Sequence, residues 1–344
     1  MVEGNTITTE SAGLPYDAVL IISFGGPEGT NDVMPFLENV LRGRNVPRER
    51  LLEVAKHYEL FGGVSPINEQ NRKLISALKQ ELENNGTRLP IYFGNRNWHP
   101  LLPVTMRQMR DDGVKRALGF VTSAYSSYAS CRQYLENIES ARQSVGPDAT
   151  HVDKLRTFYN HPLFIQANVA QIQAGLAQFP EPQRSAAHIV FTAHSIPDSM
   201  AQACDYEAQL RETSTLIAKS LGVEKWQLVF QSRSGPATQP WLGPDVRDYL
   251  KQLHGLGTRE VVLAPIGFVS DHMEIIYDLD TEARRLCDEL GLNMIRAETV
   301  GTHPAFIRMI RELILERIEP GREKKFLGPL GPAKDTCPVG CCMR

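Results

Sequence analysis

One histidine follows an apolar segment at a place where it could bind a metal or transfer a proton. His194 follows the apolar residues 188–192, and Pro197 closes the segment three residues later. A short apolar run that ends in small and polar residues is typical of a buried parallel strand, and ligands in open α/β sheets bind beyond such strand ends. An imidazole there binds metal or moves protons near neutral pH. The alternative is a histidine held in a turn or a helix cap.

A second segment supplies carboxylates at a regular spacing. Glu274, Asp278 and Glu282 recur every four residues and therefore share one face of a predicted helix. Like charges at this spacing repel one another when they are merely solvated. A proton relay, or a path for a hydrated divalent cation, would explain why three carboxylates share one face, because carboxylates are hard ligands. An acidic first helical turn, or a solvated face beside Arg284 and Arg285, is the alternative.

These side chains need a framework of alternating strands and helices. Apolar, β-rich runs alternate with helical patterns, and the second half of the chain repeats the element order of the first half. This predicts an α/β fold with two doubly wound, parallel-sheet domains and a cleft between them. The predicted strands cover residues 16–24, 90–93, 116–122, 154–158, 188–192, 226–231, 260–265 and 293–298, and one helix is predicted over 272–289. The predicted divisions are a disordered leader (1–14), two domains (15–160 and 161–318, with the last helix packing back on the first) and a tail (319–344).

Composition narrows the class of protein. The 344 residues are 42% hydrophobic and 22% charged, as in soluble globular proteins, and the net charge of −3 provides no basic field for nucleic acid. No apolar stretch approaches the ~20 residues that span a bilayer. Residues 1–14 show no signal-peptide pattern, so we expect a cytoplasmic protein without a transmembrane segment.

Seven motifs, in order, resemble those of the ferrochelatase family from about residue 16 to residue 318. The closest resemblance is to the actinobacterial type, a lyase that inserts Fe²⁺ into coproporphyrin III in haem biosynthesis. The family fold consists of two Rossmann-like domains around a porphyrin cleft. The motifs are SFGGPE (23–28), GGVSPIN (62–68), GNRNW (94–98), SAYSSY (123–128), TAHSIP (192–197), QSRSGP (231–236) and residues 265–274 with YDLD (277–280).

The resemblance assigns roles to individual residues. His194 is the expected metal ligand or proton acceptor at the ring centre, and Glu274 is its partner; which of the two takes the pyrrole protons stays open. Asp278 and Glu282 continue the path for Fe²⁺, the metal substrate. Phe24 stands at the opposite face, where phenylalanine cannot ligate iron. The other residues expected to contact the porphyrin or its propionates are Ser65, Tyr134 and Arg42.

The cysteines suggest a second metal centre. Three of the six crowd the last eight residues, and a chain of this length does not need a disulfide framework. Some ferrochelatases hold a [2Fe–2S] cluster through one internal and three C-terminal cysteines, which implies Cys131, Cys337, Cys341 and Cys342 as its ligands. Adjacent Cys341 and Cys342 are awkward ligands for one iron, so one alternative places one of them on each iron, and another replaces one ligand by Cys204 or Cys287. The remaining alternatives are a frayed reduced tail and an adventitious zinc site.

The segment 42–57 bears on the substrate. Coproporphyrin III has four propionates and protoporphyrin IX has two, and a basic lip on the cleft suits the larger number of carboxylates. An ordinary solvated charge run is the alternative. Protoporphyrin IX ferrochelatase, a cobalt or nickel chelatase and a non-catalytic tetrapyrrole carrier are the competing functions, and downstream haem-synthesis enzymes are expected partners. The charged residues are Arg42, Arg44, Arg48, Arg50, Lys56 and His57, against Glu49 and Glu53.

Overall fold

Two four-stranded, all-parallel sheets form the framework of the protein. The computed structural model describes residues 15–43, 46–234, 238–337 and 340–342, so the leader 1–14 and Arg44 lie outside the described residues. Both sheets have the same strand order, β2-β1-β3-β4 and β6-β5-β7-β8, which confirms the predicted α/β fold and the repeated element order. The strands are β1 (Ala18–Ser23), β2 (Ile91–Asn95), β3 (Arg116–Val121), β4 (His151–Lys154), β5 (His188–His194), β6 (Trp226–Gln231), β7 (Glu260–Ala264) and β8 (Asn293–Arg296).

Helices connect the strands and cover the sheets. Two short π-helical segments, Tyr128–Arg132 and Asp278–Ala283, interrupt the α-helical pattern. No helix in the described part of the chain has both the length and the apolar character that a membrane crossing requires. The α-helices are α1 (Thr30–Val40), α2 (Arg48–Glu59), α3 (Ile67–Asn84), α4 (Leu102–Asp111), α5 (Gln133–Val145), α6 (Pro162–Leu176), α7 (Gln183–Ala186), α8 (Asp198–Gln202), α9 (Tyr206–Leu221), α10 (Val246–Gly255), α11 (Met273–Ile276), α12 (Arg284–Leu290) and α13 (Pro304–Ile318).

Burial on both faces explains why the central strands are continuous apolar runs. Every residue of β1 is buried, as is typical of parallel strands covered by helices. The covering helices show the complementary pattern: in α3, Leu74, Leu78 and Leu82 recur every four residues and are buried in the core. The hydrophobic periods that predicted the elements therefore also determine which side chains the sheets bury.

The largest core cluster joins the two sheets. It contains Val19 and Ile21 of β1 together with Ile189 and Phe191 of β5. Helix α13 packs against both α3 and α6. The division of the chain into domains at residue 160 stays a prediction.

The C-terminal tail is bound by buried polar groups. Asn160 is fully buried, and its Nδ2 donates to the carbonyl oxygens of Leu327 (3.0 Å) and Gly331 (2.8 Å). Glu212 Oε2 accepts a hydrogen bond from the Leu330 backbone N–H at 3.1 Å. Arg156 forms a buried ion pair with Glu316 and donates to the Lys325 carbonyl oxygen at 2.9 Å. These buried groups obtain hydrogen-bond partners from the tail, and this holds residues 325–331 against the body of the protein.

Two sequence expectations differ from the structure. The strand predicted over 154–158 lies earlier, as β4 (His151–Lys154), because Leu155 and Phe158 are buried in the core after the strand has ended and their apolar character mimics a strand.

The second difference concerns the helix that precedes β8. The helix predicted over 272–289 is divided into α11, the π-helical segment and α12. The change of winding shows in the hydrogen bond from the Glu282 N–H to the Tyr277 carbonyl oxygen, which spans five residues. Hydrophobic periodicity cannot reveal such a segment, and single-turn π-helical insertions occur frequently at functional sites.

Four loops meet at the carboxyl ends of the central strands. The loops after β1 and β3, and those after β5 and β7, lie at the points where the strand order of each sheet reverses, which is where open α/β sheets bind ligands. The chain after β7 crosses closely over β5: a Cβ at Gly267 would lie 2.6 Å from the Cα of Ala193. Glycine at this position therefore lets the loop that carries Glu274 reach His194.

Candidate active site

The structure brings His194 and Glu274 into contact. His194 is the last residue of β5, and its Nε2 lies 3.3 Å from Oε1 of Glu274, in the first turn of α11. The Nδ1 atom of His194 is hydrogen-bonded to the carbonyl oxygen of Ser195. The two side chains are 32% and 38% exposed, so a ligand can reach both.

Glu274 also contacts a second imidazole. His272 Nε2 lies 3.1 Å from Glu274 Oε2, and His272 Nδ1 is 3.2 Å from the Ser270 carbonyl oxygen. Each carboxylate oxygen thus contacts one histidine. His272 has no role among the predicted site residues, although its position two residues before Glu274 in the same loop was an available signal.

Helix α11 begins without a side-chain cap. Its N-cap residue, His272, makes no capping hydrogen bond, and Glu274 lies in its first turn. Asp271 is instead 3.2 Å from the guanidinium of Arg296, and its backbone N–H donates to Gln70 Oε1 at 2.7 Å. Since Gln70 belongs to α3, this last bond ties the loop to the half of the chain that carries the first sheet.

The His194–Glu274 pair carries its proton on the imidazole. Burial alone lowers the pKa of His194, but the Glu274 carboxylate and the Ser195 carbonyl outweigh burial and raise it from 6.5 to about 9. Burial opposes ionisation of Glu274, yet His194 and then His272 hold its pKa well below the usual range. At neutral pH the pair is therefore imidazolium and carboxylate.

The acidic residues beyond Glu274 lie close enough to influence one another. Burial, together with the charges of Glu274 and Glu282, raises the pKa of Asp278 to about 6, although a hydrogen bond from Ser232 opposes the shift. Glu282 is also 3.6 Å from Arg247. Glu274, Asp278 and Glu282 therefore form a row of carboxylates that influence one another's charge, and the row starts at the His194–Glu274 ion pair.

The end of β6 holds this acidic segment. Gln231 is buried and its side-chain amide donates to the Glu274 carbonyl oxygen, while the Ser232 hydroxyl donates to Asp278. Ser232 has a φ of 63°, in the left-handed region that serine rarely adopts. Strain of this kind is concentrated at functional sites. Gln231 and Ser232 are absent from the predicted site residues, although both lie in the motif QSRSGP.

An apolar cluster with residues from both halves of the chain adjoins the His194–Glu274 pair. It includes Phe36, Tyr58 and Trp98 from the first half, with Phe24 partly buried against it, and Met273 from the first turn of α11. Phe36 makes edge-to-face contacts with the other three rings. Burial and the nearby Glu274 charge raise the pKa of Tyr58, which places this tyrosine beside the carboxylate. A flat aromatic ligand is the kind of molecule that such a wall suits.

The other predicted porphyrin contacts are dispersed. The guanidinium of Arg96 lies over the rings of Phe24 (5.5 Å) and Tyr134 (4.7 Å), and Tyr134 is buried beneath it. Ser65 is buried against Gly26, where a Cβ would meet Ser65 at 2.6 Å. Arg42 is exposed and donates to Asn39 of α1 at 2.5 Å. The structure thus joins Phe24 and Tyr134 through Arg96 and leaves Arg42 at the surface.

The four cysteines expected to bind a cluster converge, although they are distant in sequence. Cys131 Sγ is 4.0 Å from Cys337 Sγ, and Cys341 Sγ is 3.5 Å from Cys342 Sγ. The two pairs adjoin, because the thiol of Cys341 influences that of Cys337 and the thiol of Cys131 influences that of Cys342. Cys204 lies at the edge of the group. Within the described ranges, no group of three or more His, Cys, Asp or Glu side chains is arranged so that it could hold a metal ion.

Comparisons with known proteins show which family this chain resembles. A family model described as Ferrochelatase matches residues 16–318. A ferrochelatase of Rhodopirellula baltica is 56% identical over 333 residues, covering 96% of this chain and 94% of the relative. A coproporphyrin III ferrochelatase of Streptomyces griseus is 50% identical over 350 residues, covering 95% and 93%.

Solved structures share the fold at low sequence identity. SirB of Bacillus subtilis with Fe³⁺ superposes with a TM-score of 0.55 at 12% identity, covering 86% of this chain and 94% of SirB. This likeness concerns the fold alone. The family match and the two close relatives confirm the resemblance on which the sequence analysis relied. The chain belongs to the ferrochelatase family, and it is a metal-inserting lyase of haem biosynthesis that acts on a porphyrin and Fe²⁺.

Proposed function

We propose that this enzyme inserts Fe²⁺ into coproporphyrin III, with His194 and Glu274 at the centre of the porphyrin ring. The observation that carries the proposal is the 3.3 Å contact between His194 and Glu274 at the strand ends beside the apolar cluster. In the reaction the porphyrin loses two pyrrole N–H protons, Fe²⁺ loses its water ligands, and four Fe–N bonds form. A base and a polar ligand on one face of an aromatic slot meet these requirements.

The protonation state of the pair orders the proton transfers. His194 begins as an imidazolium, so it cannot accept a pyrrole proton until it has released its own. The approach of a divalent cation to Glu274 weakens the hold of the carboxylate on that proton, since like charges disfavour the imidazolium. The proton of His194 passes to solvent, because the side chain is 32% exposed, and neutral His194 then accepts one pyrrole proton. Once His194 has passed this proton on to water as well, it can accept the second pyrrole proton. His272 contacts the other oxygen of Glu274 and holds the carboxylate in place.

Asp278 and Glu282 extend the site toward solvent as a route for hydrated iron. Their carboxylates are hard oxygen ligands that match hydrated Fe²⁺. With a pKa of about 6, Asp278 exchanges a proton near neutral pH. On the opposite face Phe24 offers no donor atom, so iron would receive its protein ligands from the His194 side alone.

The preference for coproporphyrin III rests on the lip formed by α2. A surface depression of about 400 Å³ is lined by Arg50, Lys56, His57 and Tyr277, together with Glu53 and Leu60. His57 stacks on Tyr277 with ring centroids 3.8 Å apart, so the lip contacts the π-helical side of the site. Cations beside an aromatic pair suit a macrocycle with several carboxylates. The names of several relatives point to the same porphyrin.

Protoporphyrin IX remains the second candidate because the same lip exposes apolar side chains. Leu52 of α2 is 45% exposed, Leu60 directly after the helix is 67% exposed, and Val64 is 43% exposed. Exposed apolar residues of this kind are typical of surfaces that contact membranes, and protoporphyrin IX is a porphyrin that partitions into membranes. The two porphyrins must therefore be compared directly.

We further propose that Cys131, Cys337, Cys341 and Cys342 hold a [2Fe–2S] cluster. Four thiolates are the ligand set that such a cluster requires. Two sulfurs on one tetrahedral metal with bonds near 2.3 Å lie about 3.8 Å apart. The 4.0 Å and 3.5 Å separations of the two sulfur pairs are close to this value, so these four cysteines would supply the thiolates of the cluster. When bound, the cluster supplies a one-electron redox centre.

The central pair is tested by His194→Ala and Glu274→Gln. Because general acid–base groups contribute roughly 10²–10⁴-fold, each variant should lose turnover by that order while it still binds coproporphyrin III. Anaerobic iron insertion and porphyrin fluorescence measure the two properties separately. Ser220→Ala, an exposed change in α9, is the control and should retain full turnover. Wild-type rates in His194→Ala would refute the assignment, and wild-type protein that binds porphyrin without turnover would support the carrier alternative.

The imidazolium is tested by NMR titration of His194 in the porphyrin-free protein. Its pKa should be about 9 in the wild type. In Glu274→Gln the anionic partner is lost and burial remains, so the pKa should fall to 6.5 or below. Asp278→Asn should produce a smaller decrease, because Asp278 is the weaker of the two charges. An unchanged His194 pKa in Glu274→Gln would contradict the ion pair.

The substrate is tested by kcat/KM for coproporphyrin III and protoporphyrin IX in detergent-free buffer. We expect a clear preference for coproporphyrin III. The double variant Arg50→Gln with Lys56→Gln should decrease the ratio of kcat/KM for coproporphyrin III to kcat/KM for protoporphyrin IX several-fold, because the two cations act on the additional carboxylates. The exposed Lys79→Gln in α3 is the control. Preference for protoporphyrin IX in the wild type would favour the second candidate.

The cluster is tested on anaerobically purified protein. Wild type should hold about two irons and two sulfides per chain, with the visible absorption of a [2Fe–2S] centre. Cys341→Ala should remove both, whereas Cys287→Ala, in the core of the second sheet, should keep them. Colourless wild-type protein with full activity, or protein that binds only zinc, would exclude the cluster.

A further inference from the structure

One arginine binds both ends of the segment 271–280. Arg296 is the last residue of β8, at the edge of the second sheet. Its Nη1 and Nη2 donate to the two carboxylate oxygens of Asp271 at 3.3 and 3.2 Å, and its Nε donates to Asp280 Oδ1 at 2.7 Å. The Arg296 side chain is 15% exposed, so these charge-assisted bonds are only weakly screened by water.

The residues between the two aspartates include His272, Glu274 and Asp278. This stretch contains all of α11, which has four residues, and the start of the π-helical segment. A helix of one turn is not stable by itself, because the first turn fixes several residues for a single hydrogen bond. The course of the chain at Glu274 therefore depends on contacts with other elements.

The sheet supplies a fixed base for these contacts. Arg296 lies opposite Leu263 of β7, and the Ala297 N–H donates to the Leu263 carbonyl oxygen at 2.8 Å. Thr299 Oγ1, which follows on the same strand connection, donates to Asp271 Oδ1 at 3.2 Å. Both aspartates pair with the one guanidinium, so its loss would leave two like charges close together.

We propose that Arg296 is a positioning residue that sets the place of Glu274 against His194 by binding Asp271 and Asp280 at once. The proposal rests on the proposed role of the His194–Glu274 pair. Asp271 lies three residues before Glu274 and Asp280 six residues after it, so the distance between the aspartates determines the path of the chain between them. The planar guanidinium bonds two carboxylates in a fixed geometry, which the single charge of a lysine does not reproduce.

The experiment measures turnover and the pKa of His194 in full-length Arg296→Gln. Because a misplacement of about 1 Å can cost about 10²-fold, kcat for anaerobic iron insertion should fall about 10- to 100-fold. Affinity for coproporphyrin III, measured by fluorescence, should be retained, since the aromatic rings beside the site belong mainly to the first half of the chain. NMR titration of the porphyrin-free variant should show the pKa of His194 about one lower than the wild-type value of about 9, a tenfold weaker affinity for the proton.

The direction of this change separates positioning from a direct effect of charge. Removal of a cation near an imidazolium raises the pKa of the imidazolium, because a like charge is lost. Displacement of Glu274 lowers the pKa of His194, because an opposite charge moves away.

Arg311→Gln is the matched control. Arg311 is 21% exposed and its Nε lies 2.8 Å from Glu81 Oε1, so this variant loses an ion pair of similar burial between α13 and α3. It should decrease thermal stability and leave kcat and the pKa of His194 unchanged. Arg296→Lys keeps the charge without the planar fork, and it should decrease both quantities less than Arg296→Gln does.

An unchanged or raised pKa of His194 in Arg296→Gln would overturn the proposal, whatever happens to kcat. Equal decreases in Arg311→Gln would also overturn it, because the loss of any ion pair would then suffice. If Arg296→Gln does not fold, Arg296→Lys decides: decreases in kcat and in the pKa support the proposal, and wild-type values overturn it. Failure of the proposed function is distinct, since it would appear as wild-type turnover in His194→Ala, and the titration of porphyrin-free protein does not depend on it.

Discussion

The site depends on one carboxylate that two imidazoles share. Glu274 contacts His194 with one oxygen and His272 with the other, at 3.3 and 3.1 Å. This arrangement requires that β5, the loop after β7 and α11 keep their relative positions. The close crossing of the loop over β5 at Gly267 makes that possible. The neighbouring end of β6 then fixes the backbone of Glu274 through Gln231. A displacement of any of these elements would separate an ion pair that is only partly shielded from solvent.

The same carboxylate sets the electrostatics of its surroundings. It holds His194 as an imidazolium and raises the pKa of Asp278 and of Tyr58. A divalent cation that reaches Glu274 therefore changes the protonation of several groups at once. Glu274 thus lies between two groups of residues: the carboxylates of Asp278 and Glu282, and the apolar cluster that contains Phe36, Tyr58 and Trp98.

Local sequence patterns were sufficient for the framework and insufficient for its irregular parts. Apolar runs predicted β1 and β5, and His194 lies at the end of β5 as predicted, where the ends of parallel strands converge. The π-helical segment was missed, since a change of winding leaves the hydrophobic pattern of 272–289 nearly unaltered. The bonds from Gln231 and Ser232 to the acidic segment join parts of the chain more than 40 residues apart. Such contacts follow from the tertiary fold, which single-sequence periodicity does not encode.

The binding of the tail has a consequence for the order of biosynthesis. Residues 325–331 are made after both sheets, yet they supply hydrogen-bond partners to Asn160 and Glu212 and a carbonyl to Arg156. While a ribosome still encloses this segment, those buried polar groups face an open groove. The sheets can therefore assemble during translation, whereas the sulfur site is completed only after the tail has emerged.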